Sequence, residues 1–286
     1  MRPTTRAGAL KNPSIGRIRV TNAKSETTRV RYSVHEHVAI LTLSDPPANC
    51  YTYELMQDLD AAIMKARFDP AVDVIVLTGD GERFFCAGAD IAMLSEVTPQ
   101  FKYNFCMHAN ETLHRLEQTP KLVIAALNGH TVGGGLEVAL ACDLRIAWKG
   151  HGKVGLPEVS LGVLPGTGGT QRLPRLIGKS KALEMMVGGD LISMERAAEI
   201  GLVNQVFEGD DFQSQVLDYA QKMARPHKAP LAVGLIKRAV HTGVELPFSE
   251  ALALERELQQ QLFMSEDAKE GLNAFHEKRT PVFRGK

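Results

Sequence analysis

The order of apolar and polar positions divides the chain into a strand–helix alternation followed by a purely helical stretch. Residues 29–34 and 38–43 alternate or cluster β-branched residues around His35-Glu36-His37, which predicts a hairpin. Leu55, Leu59, Ile63 and Ala66 recur at helical spacing within 52–67, and the apolar run Val74–Leu77 reads as a buried strand. Thr98-Pro99 is a helix start, with Phe101, Phe105 and Leu113 on one face of the helix it opens. A strand over Leu122–Leu127 leads into a glycine turn, a short helix at 135–141 and another strand at Leu144–Ala147. Repeated alternation of this kind predicts an α/β architecture. Beyond residue 208 the strands stop, and residues 211–224, 231–241, 248–263 and 266–277 read as successive helices punctuated by Pro226, Pro230 and Pro247. The expected organisation is an α/β core over 30–208 and a helical region over 209–286.

Composition narrows the function classes. Lys+Arg and Asp+Glu balance at 33 each, so no long-range field points to a nucleic-acid or membrane partner. The longest apolar runs, such as residues 121–127, fall far short of the ~20 residues needed to span a bilayer. Cys50, Cys86, Cys106 and Cys142 lack paired spacings, which reads as reduced thiols in a cytoplasmic-type compartment. Residues 1–29 differ from the rest: Arg2, Arg6, Lys11, Arg17, Arg19, Lys24 and Arg29 face only Glu26 among Ser, Thr, Gly and Pro. This stretch reads as a disordered basic extension; the alternative, a transit peptide, would place the protein in the mitochondrial matrix.

Chemistry concentrates between residues 84 and 172. Gly133, Gly134 and Gly135 follow a strand and precede Leu136-Glu137, so glycine dihedrals and the unpaired first amides of a helix can present donors to a ligand oxygen. The bland alternative is a tight turn needed only for packing. Phe84-Phe85-Cys86-Ala87-Gly88-Ala89-Asp90, taken alone, reads as a strand-to-loop transition; paired with the glycine turn, its small residues would leave the amide of Ala89 accessible as a second donor. Glu137, in the first turn of its helix, is expected to be held as an anion and to act as acceptor or base; ordinary helix capping is the competing reading. Glu158 follows Pro157 amid Leu156, Val159, Leu161, Val163 and Leu164, apolar surroundings expected to raise its pKa and favour the protonated acid. A pair of carboxylates in contrasting environments suits acid–base chemistry. Other patterns fail. Gly166-Thr167-Gly168-Gly169 lacks the third glycine of a dinucleotide fingerprint, Leu173 stands where a P-loop before Gly178-Lys179-Ser180 needs glycine, and His35 and His37 have no matching metal ligands.

On these residues the chain closely resembles the crotonase superfamily, and within it the enoyl-CoA hydratases. The segments that carry the likeness are FFCAGADI (84–91), IAALNGHTVGGGLEVALACD (124–143), GLPEVSLGVLPGTGGTQRLPRLIGKSKALEMM (155–186), AAEIGLVNQVF (197–207) and EGLNAFHEKR (270–279). The resemblance implies a ClpP-like spiral of ββα units with a C-terminal helical oligomerisation region, and trimers usually paired into hexamers. It implies that the amides of Ala89 and Gly134 form an oxyanion hole for the thioester oxygen of an acyl-CoA. Glu137 and Glu158 would hold the water between them, Glu137 activating it and Glu158 delivering a proton to C2. Ala87, Gly88, Asp90, Ile91 and Gly133 would line the CoA and substrate site, and Phe275 and Lys278 would reach a CoA, in some members that of a neighbouring subunit. No metal or separate cofactor is implied, CoA being part of the substrate, and the setting is fatty-acid and lipid metabolism.

Three departures stand out: Ala92 where many hydratases carry Lys, NCYTYELM at 49–56 where N-A-L-N-type sequences are frequent, and a 148–155 loop about one residue longer than the common pattern. Two other enzymatic readings remain beside hydration of a 2-enoyl-CoA: double-bond isomerisation, and action on a branched or dicarboxylic substrate of the methylglutaconyl-CoA type. A non-enzymatic RNA- or CoA-binding role has little support, because the 53–68 helix sets three acids against Lys65 and Arg67.

Overall fold

The computed structural model describes residues 28–286, so the basic stretch read over 1–29 lies outside the described residues except for Thr28 and Arg29. Strands β1 (Val30–His35) and β2 (Val38–Leu43) form the expected antiparallel hairpin, turning through Glu36 and His37 at φ of 41° and 70°. Helix α1 (Tyr53–Phe68) is capped by Thr52, which accepts from the Leu55 N–H, and it buries the Leu55, Leu59, Ile63 and Ala66 stripe. Then come β3 (Val74–Gly79), β4 (Phe84–Cys86), α2 (Ile91–Glu96) and α3 (Pro99–Glu117). The cap on α3 is Thr98, and the helix buries Phe105 and Leu113 while leaving Phe101 more exposed. Next are β5 (Leu122–Leu127), β6 (His130–Val132), α4 (Gly134–Leu140), β7 (Leu144–Trp148) and β8 (Lys153–Gly155). A short 3-10 helix over Glu158–Leu161 leads to α5 (Gly169–Ile177), α6 (Lys179–Gly188), β9 (Ile192–Ser193), α7 (Met194–Glu199) and β10 (Gln205–Phe207). Helices α8 (Phe212–Gln221), α9 (Pro230–Gly243), α10 (Phe248–Phe263) and α11 (Glu266–Glu277) complete the chain with no strand between them.

The strands sort into two sheets, one of order β1-β2-β3-β5-β7-β10 and a smaller one of order β4-β6-β8-β9. Each of the pairs β3/β4, β5/β6 and β7/β8 gives its first strand to the large sheet and its second to the small one before the chain turns helical. That is a spiral of ββα units, and all neighbours from β2 to β10 in the large sheet run parallel. The strand period of two divides the side chains between two cores. Ile75, Leu77, Val123, Ala125 and Leu127 face α1 and α3, whereas Val74, Val76, Ile124 and Ala126 face the back, where α8 covers them with Phe212, Val216 and Ala220.

One buried amide sets the spacing of the turns that reach the site. Asn128 Oδ1 accepts from the Gly79 N–H at 3.0 Å, and its Nδ2 donates to Gly79 O at 3.0 Å and Gly81 O at 2.6 Å. It thereby ties the turn before β4 to the turn before β6. Replacing Asn128 by Ala strands three backbone groups and is expected to lower unfolding stability by about 2–3 kcal/mol. A urea titration with unchanged slope and a lower midpoint would show it.

Candidate active site

Gly88, at φ 90°, turns the chain after β4 so that residues 87–90 run beside Tyr51. The Tyr51 N–H donates to Gly88 O at 2.9 Å, and Tyr51 bridges Ala89 in parallel. After β6, Gly133 takes φ 57° and ψ −130°, a glycine conformation that starts α4. The two turns touch. A Cβ built on Gly88 would lie 3.0 Å from Gly134 N and 3.0 Å from Val132 O. The parallel pairing of β4 with β6 thus brings the Ala89 and Gly134 segments side by side. Among the described residues neither amide donates to a backbone or side-chain acceptor outside regular helix and strand bonding.

Glu137 projects from α4 and is 1% exposed. Its Oε1 accepts from the N–H groups of Thr167 and Gly169, each at 2.7 Å. The sequence points to the first turn of its own helix as the anion holder; the structure assigns that task to amides at the start of α5, where Gly168 at φ 108° turns the chain. Burial pushes the Glu137 carboxyl above the usual carboxylate range, and the Gly169 and Thr167 donors pull against that shift.

Glu158 opens the 3-10 helix after Pro157, with its carboxylate against the Gly133 turn: a Cβ on Gly133 would sit 3.0 Å from Glu158 Oε1. Glu158 Oε2 is buried and has no hydrogen-bond partner among the described residues. Its pKa is pushed up to about 7, chiefly by burial, with the charge of Glu137 adding to the rise. The direction agrees with the sequence expectation, but the cause differs. Val159, Leu161, Val163 and Leu164 are exposed, and of the apolar neighbours read from the sequence only Leu156 is buried.

The other expected residues divide. Ala87, Gly88 and Asp90 share the strand-like segment with Ala89, where Asp90 caps α2 by accepting from the Met93 N–H at 3.0 Å. Ile91 begins α2 and is exposed. Phe275, 81% exposed on α11, and Lys278, the left-handed residue that ends it, are not brought to the two carboxylates of this chain. Sequence reasoning missed Tyr51, Thr167 and Gly169. A signal existed for the last two: the glycines of 166–169 precede a helix just as those of 133–135 do, and amides freed there can hold a carboxylate as well as a phosphate.

Two adjacent amides lie beside a buried carboxylate, Glu137, and a partly buried one, Glu158, an arrangement chemically able to stabilise an oxyanion while protons move. The family model for enoyl-CoA hydratase/isomerase matches residues 33–286. The chain belongs to this family. It is a crotonase-superfamily enzyme, and its α/β spiral is the fold of that superfamily. It is 39% identical to the short-chain-enoyl-CoA hydratase of Clostridium acetobutylicum, over 85% of this chain and 92% of the relative. It is 40% identical to the (E)-benzylidenesuccinyl-CoA hydratase of Thauera aromatica, over 90% of this chain and 99% of that one. Among solved structures, an enoyl-CoA hydratase of Geobacillus kaustophilus superposes with a TM-score of 0.88 at 48% identity, covering 92% of this chain and 98% of its own. Among the described residues no helix of this family member is long and apolar enough to cross a membrane.

Proposed function

We propose that the chain is a hydratase that adds water reversibly across the C2–C3 double bond of a 2-enoyl-CoA thioester to give a 3-hydroxyacyl-CoA. The observation that carries this reading is a pair of interacting carboxylates, buried Glu137 cradled by amides and partly buried Glu158 with a buried oxygen free of partners among the described residues. Glu137, supported as an anion, takes a proton from water as its oxygen bonds to C3. The electrons of the double bond move onto the thioester oxygen, where the amides of Ala89 and Gly134 are placed to donate. Glu158, which holds its proton to about pH 7, then protonates C2 as the enolate collapses. Ala87, Gly88, Asp90, Ile91 and Gly133 line the path of the CoA and substrate. Because Phe275 and Lys278 stand apart on α11, their contribution is assigned to the CoA of a neighbouring copy in a trimer or hexamer.

A second reading concerns the acyl group. The likeness to a hydratase of benzylidenesuccinyl-CoA, together with the contacts of Tyr53 with Phe101 and His108 on α3, favours testing a branched, dicarboxylic or aryl substrate. Isomerisation is less well supported, because both acids are present and close enough to interact.

The test is loss of enoyl-thioester absorbance with crotonyl-CoA, a longer 2-enoyl-CoA and a dicarboxylic 2-enoyl-CoA, wild type beside Glu137→Gln. Hydration of at least one substrate, lowered about 10²–10⁴-fold in the variant, is expected. Unchanged turnover in the variant would remove Glu137 from the mechanism. Binding without absorbance loss for all three would redirect the assignment to isomerisation.

A further inference from the structure

We propose that Tyr51 is a positioning residue that fastens the amide cradle of Glu137 to the oxyanion segments, so that one side chain sets the geometry of acid, base and donors together. Tyr51 lies where the sequence departs from the N-A-L-N-type pattern, and three parts of the site meet on it. Its backbone N–H holds Gly88 O at 2.9 Å beside Ala89. Its ring occupies the space that a side chain at position 134 would need: a Cβ on Gly134 would fall 2.2 Å from Tyr51 Cε1 and 2.4 Å from its hydroxyl. Its hydroxyl shares a buried 2.8 Å hydrogen bond with Thr167 Oγ1, and the Thr167 N–H is one of the two donors to Glu137. The residue is 3% exposed, and Phe105 flanks its ring at 5.7 Å.

The hydroxyl has no solvent alternative in this position, so deleting it leaves Thr167 Oγ1 buried and without that partner. The 165–169 loop then loses its tie to the oxyanion segments and keeps its contacts with α3 and α5, Asn110 Nδ2 donating to Gly166 O at 3.4 Å and Arg172 Nη1 donating to Thr167 O at 3.0 Å while Glu117 holds the guanidinium at 2.6 Å. A looser loop donates less constantly to Glu137, which destabilises its anion and raises its pKa. The charged groups that bear on this titration are Arg172 on α5 and Glu158, whose own carboxyl also feels Lys102. None is altered by removal of the hydroxyl.

This inference rests on Glu137 being the base of the proposed hydration, and its test includes a readout independent of turnover. The variants are Tyr51→Phe, Thr167→Val, the double variant and Thr167→Ser. In the full-length protein, infrared difference spectra across pH follow the Glu137 carboxyl, whose band is identified by its loss in Glu137→Gln. Tyr51→Phe and Thr167→Val are each expected to raise that titration by about 0.5–1 pH unit, the scale of one neutral hydrogen bond. The double variant is expected to go no further than Thr167→Val, because Tyr51 acts through Thr167, and Thr167→Ser is expected to titrate as wild type. With an active substrate, Tyr51→Phe should lower kcat about 2–10-fold with KM nearly unchanged. The acid limb of kcat/KM should move up with the infrared titration. A Glu137 titration unmoved in Tyr51→Phe, or shifts that add in the double variant, would overturn the role of Tyr51. Absence of hydration by wild type, with the titration shifts intact, would instead fault the hydratase reading alone.

Discussion

Glu158→Gln is expected to lose turnover about 10²–10⁴-fold and yet to be more stable than wild type at pH 8. On the proposed mechanism the loss follows from removing the proton that Glu158 delivers to C2, while volume and much of the hydrogen-bonding shape remain. Acyl-CoA binding, measured by calorimetry with a product thioester, should persist. The gain in stability follows from the direction of the pKa shift. Burial raises the folded carboxyl from its ordinary 4.5 to about 7, so between these values the unfolded chain releases a proton that the folded chain retains. Stability contributed by this group is therefore present below about pH 4.5 and is lost as pH rises through about 7. Glutamine does not ionise and escapes that loss. Melting temperatures of the two proteins should converge in acid and separate above neutrality, with the variant higher. A variant that is inactive but equally stable at every pH would mean that Glu158 is not held protonated by its surroundings. Near-normal activity would remove it from the mechanism.

Gly135→Ala is expected to do more damage to the fold than any other one-methyl change at the site. A Cβ there would lie 2.0 Å from the carbonyl oxygen of Cys86 and 2.7 Å from its carbonyl carbon, both backbone atoms in the middle of the sheet-to-turn junction. No side chain can rotate away to relieve the clash, so β4 and α4 must separate, and with them the Ala89 and Gly134 amides. Overpacking of this kind costs about 3 kcal/mol or more, equivalent to a melting-temperature fall of roughly 6–10 °C in a chain of this size. Activity measured well below the new melting temperature should still be greatly reduced, because the donors are displaced even in the folded protein. A variant with wild-type melting temperature and turnover would show that the junction has room that the structure denies.

The sequence was most legible where interactions are local. The hairpin, the Thr98 helix start, the α1 stripe and the four C-terminal helices all depend on residues a few positions apart, and all are found where periodicity and capping place them. The two glycine turns and both acids were legible for the same reason, since each is a short signal of backbone conformation and charge. The ββα repeat was not visible as a repeated sequence. It is a repeat of topology, in which unlike residues meet the same requirement of one strand for each sheet.

What the sequence by itself determined, then, is an inventory of local signals: the segments with a strong helical or strand period, where glycine frees an amide, and which carboxylates are available. Only the tertiary structure decided who faces whom. Parallel pairing of β4 with β6 and of β6 with β8 joins the Ala89, Gly134 and Glu158 segments, and no local pattern encodes that register. The donors to Glu137 arrive from the start of α5 instead of from its own helix, and Glu158 is desolvated at the Gly133 turn instead of by its apolar sequence neighbours, which point outward. Tyr51 gained its place for a related reason: a ring fits over position 134 only because glycine is there, a complementarity between residues far apart in the chain. Burial and hydrogen-bond partnership belong to the packed molecule, and they set which acid is cradled by donors and which is left with an unpartnered oxygen.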